Sequence, residues 1–205
     1  MASDPEEAGA IVGVILAAGM STRLGRPKQL LEIDGKALVA HVTDAALMSA
    51  LDAVIVVVGH RARAVEAALG ARMVRFCLNA RFAEGQSTSL VSALDAVPPE
   101  TDAVVVLLSD QPTVQPTVID RLLAKRRETD AVIAMAAYGG TTSHPVLFGR
   151  ELFGELREIE GDQGARDVIR RHRAEVVSVD GGADAPPPDV DTEEAYAALL
   201  ASWRS

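Results

Sequence analysis

Apolar residues occur along this 205-residue chain in two alternating kinds of stretch. Short continuous apolar runs, such as residues 11–16 and 53–58, are typical of strands buried on both faces of a parallel sheet. Longer stretches between these runs carry apolar residues at helical spacing. The alternation predicts an α/β fold with a doubly wound, mostly parallel sheet that helices cover on both faces.

The same pattern divides the chain into elements. Strands are predicted over residues 11–16, 53–58, 73–78, 103–108, 131–136, 144–148 and 176–179. Helices are predicted over residues 36–50, 60–69, 87–96, 117–127, 151–156, 165–171 and 192–203. The pattern loosens after Gly139-Gly140, which makes 144–148 the candidate for a small antiparallel element. We expect a disordered N-terminus at 1–9 and a single domain at 10–205.

Charge narrows the range of partners. The chain has 20 basic and 29 acidic residues, a formal net charge of -9, which argues against nucleic acid or an anionic membrane as the main partner. A small anionic ligand held by a few local cations stays open. The lone cysteine, Cys77, excludes an internal disulfide and predicts a buried, inert thiol in a reducing compartment. With neither a basic leader nor an apolar run of about 18 residues, we expect a cytoplasmic protein.

The loop after the first predicted strand has the composition of a phosphate-binding turn. Residues 16–28 read L-A-A-G-M-S-T-R-L-G-R-P-K. Small residues let a ligand approach the backbone, whose successive N–H groups can converge on an anion, and Arg23 and Lys28 can supply positive charge. The loop is neither a Walker A loop nor a G-x-G-x-x-G dinucleotide fingerprint, and an ordinary surface loop is the alternative.

These thirteen residues match, without a gap, the signature L-A-A-G-x-S-x-R-x-G-x-x-K. In these residues the chain resembles the MobA-like nucleotidyltransferase family. Within that family it is most similar to the molybdenum cofactor cytidylyltransferase branch. The resemblance extends from residue 11 to about residue 200. It implies transfer of a nucleoside monophosphate from a nucleoside triphosphate, with CTP favoured, to a phosphate-bearing acceptor, with a molybdopterin-type cofactor favoured, and release of pyrophosphate. It also implies Mg²⁺ as a cofactor and a molybdoenzyme or its chaperone as a partner.

Two aspartates are candidates for holding that Mg²⁺. Asp110 follows the predicted strand 103–108, at the end of the strand where parallel sheets bind ligands, and Asp191 precedes the last predicted helix. Asp110 could simply form a turn, and Asp191 could cap the helix, although Thr192 can serve as the cap. The resemblance implies that both aspartates bind the metal, which suits the preference of Mg²⁺ for oxygen ligands. Ser109 stands where many relatives have glycine, which concerns the local turn more than the metal ligand.

The resemblance also implies which other residues act. It implies that Lys28 and Arg23 are catalytic, because they would offset phosphate charge. The implied nucleotide-binding residues are Leu16, Ala17, Ala18, Gly19, Ser21, Arg23, Lys28, Asn79, Gly85 and Ser87. The implied acceptor-binding residues are His144, Asp162 and Arg166, the last two within G-D-Q-G-A-R at 161–166.

Structural explanations stay open for several of these residues. Segment 79–90 could be a helix start with a serine cap, His144 a packed strand residue and Arg166 a residue on a solvated helix face. The basic clusters 125–127 and 170–173 fall at predicted helix C-termini, where cations complement the helix dipole. For the whole chain, the alternatives are guanylyl transfer, transfer to a sugar or polyol phosphate, and a catalytically silent nucleotide-binding chaperone for the cofactor.

Overall fold

The computed structural model describes residues 9–203, so that residues 1–8 of the predicted disordered N-terminus lie outside the described residues. The strands are β1 Ala10–Ala17, β2 Glu32–Ile33, β3 Lys36–Ala37, β4 Ala53–Val58, β5 Arg75–Leu78, β6 Thr101–Leu108, β7 Ile133–Tyr138, β8 Thr141–Gly149 and β9 Val176–Asp180. The α-helices are α1 Leu38–Leu47, α2 Ala62–Leu69, α3 Gln86–Ala96, α4 Pro116–Thr129, α5 Phe153–Arg157, α6 Arg166–Arg171 and α7 Glu193–Trp203.

Seven strands form one sheet in the order β5-β4-β1-β6-β8-β7-β9. The strands β5, β4, β1 and β6 are parallel, and β8 is antiparallel to both of its neighbours. Val14 of β1 lies in register with Ile55 of β4 on one side and Val106 of β6 on the other. Each predicted strand overlaps a strand of this sheet, which confirms the mostly parallel architecture and the antiparallel element near residue 144.

Helices cover both faces of the sheet because successive strand residues point to opposite faces. Ile11 and Ile15 of β1 pack with α1, α2 and α4 in one apolar core, and Val14 packs with α3, α5 and α6 in the other. Two such cores on one sheet confirm the doubly wound arrangement. Among residues 9–203, no helix combines the length and hydropathy that a membrane span requires.

The structure corrects the boundaries of one predicted helix. Residues 36–50 were expected to be helical, but Lys36 and Ala37 form β3, which pairs with β2 in a two-stranded antiparallel hairpin. Asp34 and Gly35 between the two strands have φ values of 52° and 72°, and an Asp-Gly pair with positive φ at both positions is a favoured hairpin turn. The helix therefore begins only at Leu38.

The edge strand β5 departs from expectation in another way. Cys77 lies in this strand as predicted, but it is half-buried, because β5 has a neighbour on one side only. Its thiol donates to the carbonyl oxygen of Ser92 at 3.3 Å, and partial burial raises the pKa of Cys77. The raised pKa fits the expected inert thiol.

The C-terminal helix α7 packs beside the loop that follows β1. Its residues Tyr196, Leu199 and Trp203 share a small apolar cluster with Leu31 and Ile33, among others. The Trp203 indole donates to a carboxylate oxygen of Asp34 at 2.9 Å. These contacts hold α7 against the β2–β3 hairpin, near the edge of the sheet where β1 ends.

Candidate active site

A cleft of about 890 Å³ opens where β1 and β6 end. Leu16 and Leu108 pair at the ends of these parallel strands, so the loops that follow them meet at the same edge of the sheet. Twelve predicted site residues line the cleft, namely Leu16, Ala18, Gly19, Ser21, Arg23, Lys28, Gly85, Asp110, His144, Asp162, Arg166 and Asp191. The structure therefore brings most of the predicted site together.

The signature loop, residues 17–28, is held by its own polar groups. The Ser21 carbonyl accepts hydrogen bonds from the backbone N–H of Leu24 and Gly25, and its hydroxyl accepts one from the N–H of Lys28. Gln29, which is only 1% exposed, donates its side-chain amide to the carbonyl oxygens of Ala17 and Gly19 at 3.3 and 3.2 Å. These bonds fix the turn from which the side chains of Arg23 and Lys28 project.

Gln29 was missed at the sequence level, although it lines the cleft. It lies just outside the signature, and a single polar residue before Leu30 and Leu31 gives no periodic signal. The only available signal was a polar residue between the last residue of the signature and two leucines. Such a residue, if buried, must find hydrogen-bond partners, and here the partners are the loop's own carbonyls.

Lys28 joins the two predicted metal ligands. Its Nζ donates to Oδ2 of Asp110 and to Oδ1 of Asp191, each at 2.7 Å. The two carboxylate oxygens are therefore separated by no more than twice that distance. Arg23 donates to the other oxygen of Asp191 at 2.5 Å. Two carboxylates and two cations, from three distant parts of the chain, thus form one cluster.

Burial and neighbouring charges shift the pKa values of Lys28, Asp110 and Asp191 in different directions. The Asp110 side chain is only 5% exposed, and this burial raises its pKa even though Lys28 favours the charged form. Burial also acts to lower the pKa of Lys28, but two carboxylates face this more exposed side chain, and its pKa is raised. For Asp191, burial is outweighed by Lys28 and Arg23, so its pKa is lowered. The cluster therefore holds Lys28 and Asp191 firmly in their charged forms.

The donor set fits a hard divalent cation that is shared with a substrate. Asp110 and Asp191 would hold it with two carboxylates, and no third acidic, histidine or cysteine side chain within residues 9–203 completes a protein-only metal cluster. Mg²⁺ and Mn²⁺ accept one or two carboxylates together with water and phosphate oxygens. Open coordination positions of this kind suit a triphosphate.

Helix α7 positions Asp191. Arg26 of the signature loop makes a paired contact with Glu193, with nitrogen–oxygen distances of 2.8 and 2.7 Å, and its guanidinium lies 5.4 Å from the Tyr196 ring centroid. Thr192 accepts a hydrogen bond from the N–H of Ala195 at 3.2 Å, which confirms it as the helix cap. Asp191 is thereby left to face Lys28.

Three predicted nucleotide-binding residues do not line the cleft. Ala17 is 1% exposed and packs in the core, and Ser87 is also 1% exposed. The Asn79 amide donates to the hydroxyls of Thr88 and Ser89 at 2.9 and 3.1 Å. Asn79 consequently supports the start of α3 from the protein interior, and Ser89 of the same segment 79–90 reaches the cleft.

The start of α3 packs closely against the loop at 161–164. Gly85 has a φ of 122°, and a Cβ there would lie 2.5 Å from the carbonyl oxygen of Gly161 and 2.9 Å from a carboxylate oxygen of Asp162. Only glycine fits this position. The contact places Asp162 beside the start of α3 in the cleft, which Arg166, the first residue of α6, also lines.

His144 and Arg166 line the cleft together with an apolar wall. The wall includes Met135, Val146 and Phe148. Burial, with a smaller contribution from Arg166, lowers the pKa of His144 to about 4, against an opposing effect of Asp189. The His144 ring is therefore neutral at physiological pH and can take part in hydrogen bonds without carrying charge.

Asp189 is a second residue that was missed as a site residue. It is exposed in the cleft, and its carboxylate accepts a hydrogen bond from the side-chain amide of Gln111 at 2.8 Å. The sequence signal that could have identified Asp189 is its position two residues before Asp191. In the structure Val190, which lies between the two aspartates, is fully buried. Because side chains alternate along an extended segment, both aspartates face the cleft when Val190 faces the core.

A loop with two cations after the first strand, and a carboxylate pair at the carboxyl edge of a mostly parallel sheet, form a site of the α/β class that suits a polyphosphate and a divalent metal. The sequence model of the MobA-like NTP transferase domain matches residues 13–176, and the chain belongs to this family.

Relatives span nearly the whole chain. It is 32% identical over 199 residues to nicotine blue oxidoreductase of Paenarthrobacter nicotinovorans, covering 93% of this chain and 96% of that protein. It is 29% identical to the purine catabolism protein PucB of Bacillus subtilis, covering 91% and 94%. The crystal structure of Rv0371c from Mycobacterium tuberculosis H37Rv superposes with a TM-score of 0.83 at 34% identity, covering 95% and 99%. A manganese complex of that protein also matches, with a TM-score of 0.81 at 33% identity, covering 94% and 99%.

Proposed function

We propose that this protein transfers a nucleoside monophosphate from CTP to the phosphate of a molybdopterin-type cofactor and releases pyrophosphate. The observation that carries the proposal is a charge cluster that lines the cleft beside the signature loop. In this cluster Lys28 Nζ lies 2.7 Å from oxygens of both Asp110 and Asp191. The choice of CTP and of the acceptor rests on the resemblance of the signature and of residues 161–166 to the cytidylyltransferase branch.

The reaction needs alignment and charge neutralisation more than proton transfer. An oxygen of the acceptor phosphate attacks the α-phosphorus, the bond from that phosphorus to the bridging oxygen of the β-phosphate breaks, and pyrophosphate leaves with the electron pair. The attacking phosphate is already ionised, so no general base is required. Lys28 and Arg23 would offset the negative charge of the triphosphate as it shifts toward the leaving group.

Asp110 and Asp191 would hold the divalent metal, for which we propose Mg²⁺. When bound, such an ion supplies Lewis-acid charge and orients the phosphate oxygens. The backbone of residues 17–19 would approach the phosphates, because these residues have almost no side chain. Gly85 and the α3 start would then face the sugar and base.

The part of the cleft that His144 and Arg166 line has the chemistry for a ring-bearing acceptor with an anionic group. Its apolar wall suits a planar ring, the neutral His144 can exchange hydrogen bonds with polar ring atoms, and Arg166 can bind a phosphate. We propose that His144, Asp162 and Arg166 bind the acceptor there. The product would pass to a molybdoenzyme or its chaperone, and we assign the reaction to the cytoplasm, where nucleoside triphosphates are supplied.

A pyrophosphate-release assay tests the proposal directly. Each of the four nucleoside triphosphates is mixed with Mg²⁺ and the molybdopterin cofactor, or with a sugar or polyol phosphate, and Asp110→Asn serves as the control. We expect kcat/KM to be highest for CTP with the cofactor, because a pocket built for a small pyrimidine does not accommodate a purine. Equal use of CTP and GTP would contradict the base assignment. Nucleotide binding without pyrophosphate release would instead favour the silent chaperone.

A second candidate is an oxidation–reduction activity, which the similarity to nicotine blue oxidoreductase favours. An electron carrier would then occupy the cleft, and a nicotinamide dinucleotide carries a pyrophosphate that the same cations could bind. Loss of NADH or NADPH absorbance in the presence of an oxidised heterocycle, without pyrophosphate release from CTP, would support this candidate over nucleotidyl transfer.

A further inference from the structure

Lys28 lies where a divalent metal would bind in the proposed reaction. Its ammonium bridges one oxygen of Asp110 and one of Asp191, each at 2.7 Å, which is the role that a shared cation would take. A divalent ion held by Asp110 and Asp191 would need the same carboxylate oxygens as ligands. The ammonium and the ion cannot occupy the space between these oxygens together, because both are cations and both need the same ligands.

The charges of the cluster are balanced in the absence of any ligand. Lys28 and Arg23 carry two positive charges, and Asp110 and Asp191 carry two negative charges. A divalent ion therefore meets a carboxylate pair that is already neutralised. Its binding requires that Lys28 give up two ion pairs and leave its ammonium without an anion.

Lys28 can move without disturbing the loop. Its backbone N–H is held by the Ser21 hydroxyl at 3.0 Å, and the next residue, Gln29, is buried and bonded to the loop carbonyls. Its side chain is 24% exposed and borders the open cleft. The flexible four-carbon stem can therefore rotate from the carboxylates toward a ligand in the cleft while the backbone stays in place.

We propose that Lys28 holds the metal position in the ligand-free protein, so that divalent metal and nucleoside triphosphate bind cooperatively. The triphosphate offers the displaced ammonium new anionic partners, and the freed carboxylates then accept the metal. By thermodynamic reciprocity, each ligand raises the affinity for the other by the same factor. This inference rests on the proposed function, and it predicts that the protein binds the metal–nucleotide complex much better than free metal.

Mn²⁺ binding tests the inference without any turnover. Binding is measured from the electron paramagnetic resonance signal of free Mn²⁺, for the wild type, Lys28→Met and Lys28→Gln, with no nucleotide present. Removing the ammonium leaves Asp110 without its cation and Asp191 paired with Arg23 alone, so both variants should bind Mn²⁺ at least about tenfold more tightly than the wild type. Circular dichroism of each variant establishes that the fold is kept.

Lys36→Met is the matched control. It removes the same charge from a lysine that pairs with Asp44 at 2.9 Å and does not line the cleft, and it should leave Mn²⁺ affinity unchanged. Equilibrium dialysis of labelled CTP, with and without saturating Mn²⁺, gives the second readout. Mn²⁺ should increase CTP affinity by a smaller factor in Lys28→Met than in the wild type, because free metal no longer competes with a lysine.

The outcomes separate the inference from the proposed function. If both Lys28 variants bind free Mn²⁺ no more tightly than the wild type, while Mn²⁺ still strengthens CTP binding to the wild type, the inference is overturned and the metal site stands. If Mn²⁺ binds the wild type neither alone nor with CTP, the metal site of the proposed function is overturned and the inference with it.

Discussion

The neutral His144 gives a prediction whose sign and size follow from the structure. Its pKa in the folded protein is about 4, whereas an unperturbed histidine has a pKa of about 6.5. Between these two values the unfolded chain binds a proton that the folded chain does not. The free energy of unfolding must therefore fall as the pH falls through this window, and the full contribution is present only above about pH 6.5.

The size of the effect follows from the shift. A shift from 6.5 to about 4 corresponds to about 3 kcal/mol when the proton is fully bound in the unfolded chain, at about 1.4 kcal/mol for each pKa unit. By pH 5 the accumulated loss should be about 2 kcal/mol. Because His144 is half-buried and keeps some contact with solvent, we take these figures as upper values.

Urea unfolding of the wild type and His144→Asn at about pH 7.5 and pH 5 measures the effect. Other acidic groups titrate in both proteins, so their contributions cancel in the difference between the two pH slopes. The wild type should lose more stability on acidification than the variant.

His172 provides a contrast of opposite sign, since hydrogen bonds to Glu175 and Glu155 raise its pKa. Its contribution is present below the unfolded pKa and is lost as the pH rises through the folded value, so His172→Asn should weaken the protein mainly at acidic pH. Parallel slopes for the wild type and His144→Asn would refute the assignment of a neutral His144 imidazole in the folded protein.

Further predictions concern the charge cluster and its support. Lys28→Ala should keep the circular dichroism spectrum of the wild type, but its rate of pyrophosphate release should fall at least about a hundredfold. The reason is that one charge that acts on the transition state commonly contributes about 3 kcal/mol. Near-normal turnover would show that Lys28 takes no part in the reaction. Asp110→Asn and Asp191→Asn should each reduce turnover by a similar factor, but the double variant should lose far less than the product of the two, and a multiplicative loss would argue against one shared ion. Arg26→Ala should change the melting temperature little, because the Arg26–Glu193 pair is exposed, but it should raise KM for CTP by freeing the signature loop from α7. Reversing the charges with Arg26→Glu and Glu193→Arg together should restore KM, and a failure to do so would assign the effect to lost packing.

Local sequence pattern determined the framework of this protein. The apolar runs at residues 11–16 and 103–108 lie at the centre of the sheet as β1 and β6, because a strand buried on both faces must be apolar throughout. The order of strand, loop and helix then placed the signature loop and Asp110 at the carboxyl edge. Asp34-Gly35 was recognisable as a turn, but two-residue strands are too short for periodicity to reveal, so the hairpin around it went unpredicted.

Only the tertiary structure decided how the site residues meet. Lys28 donates to carboxylates that lie 82 and 163 positions away in the sequence. The Asn79 amide donates to a hydroxyl at the start of α3, and the Gln29 amide donates to a carbonyl oxygen of the signature loop. Periodicity reports which face a residue shares with its sequence neighbours, within about two turns of helix or one strand. The partner of a charged side chain depends instead on which distant segments pack together and on the direction of each side chain. In this chain those decisions come from the docking of α7 against the signature loop, which sets Asp191 opposite Asp110 with Lys28 between them.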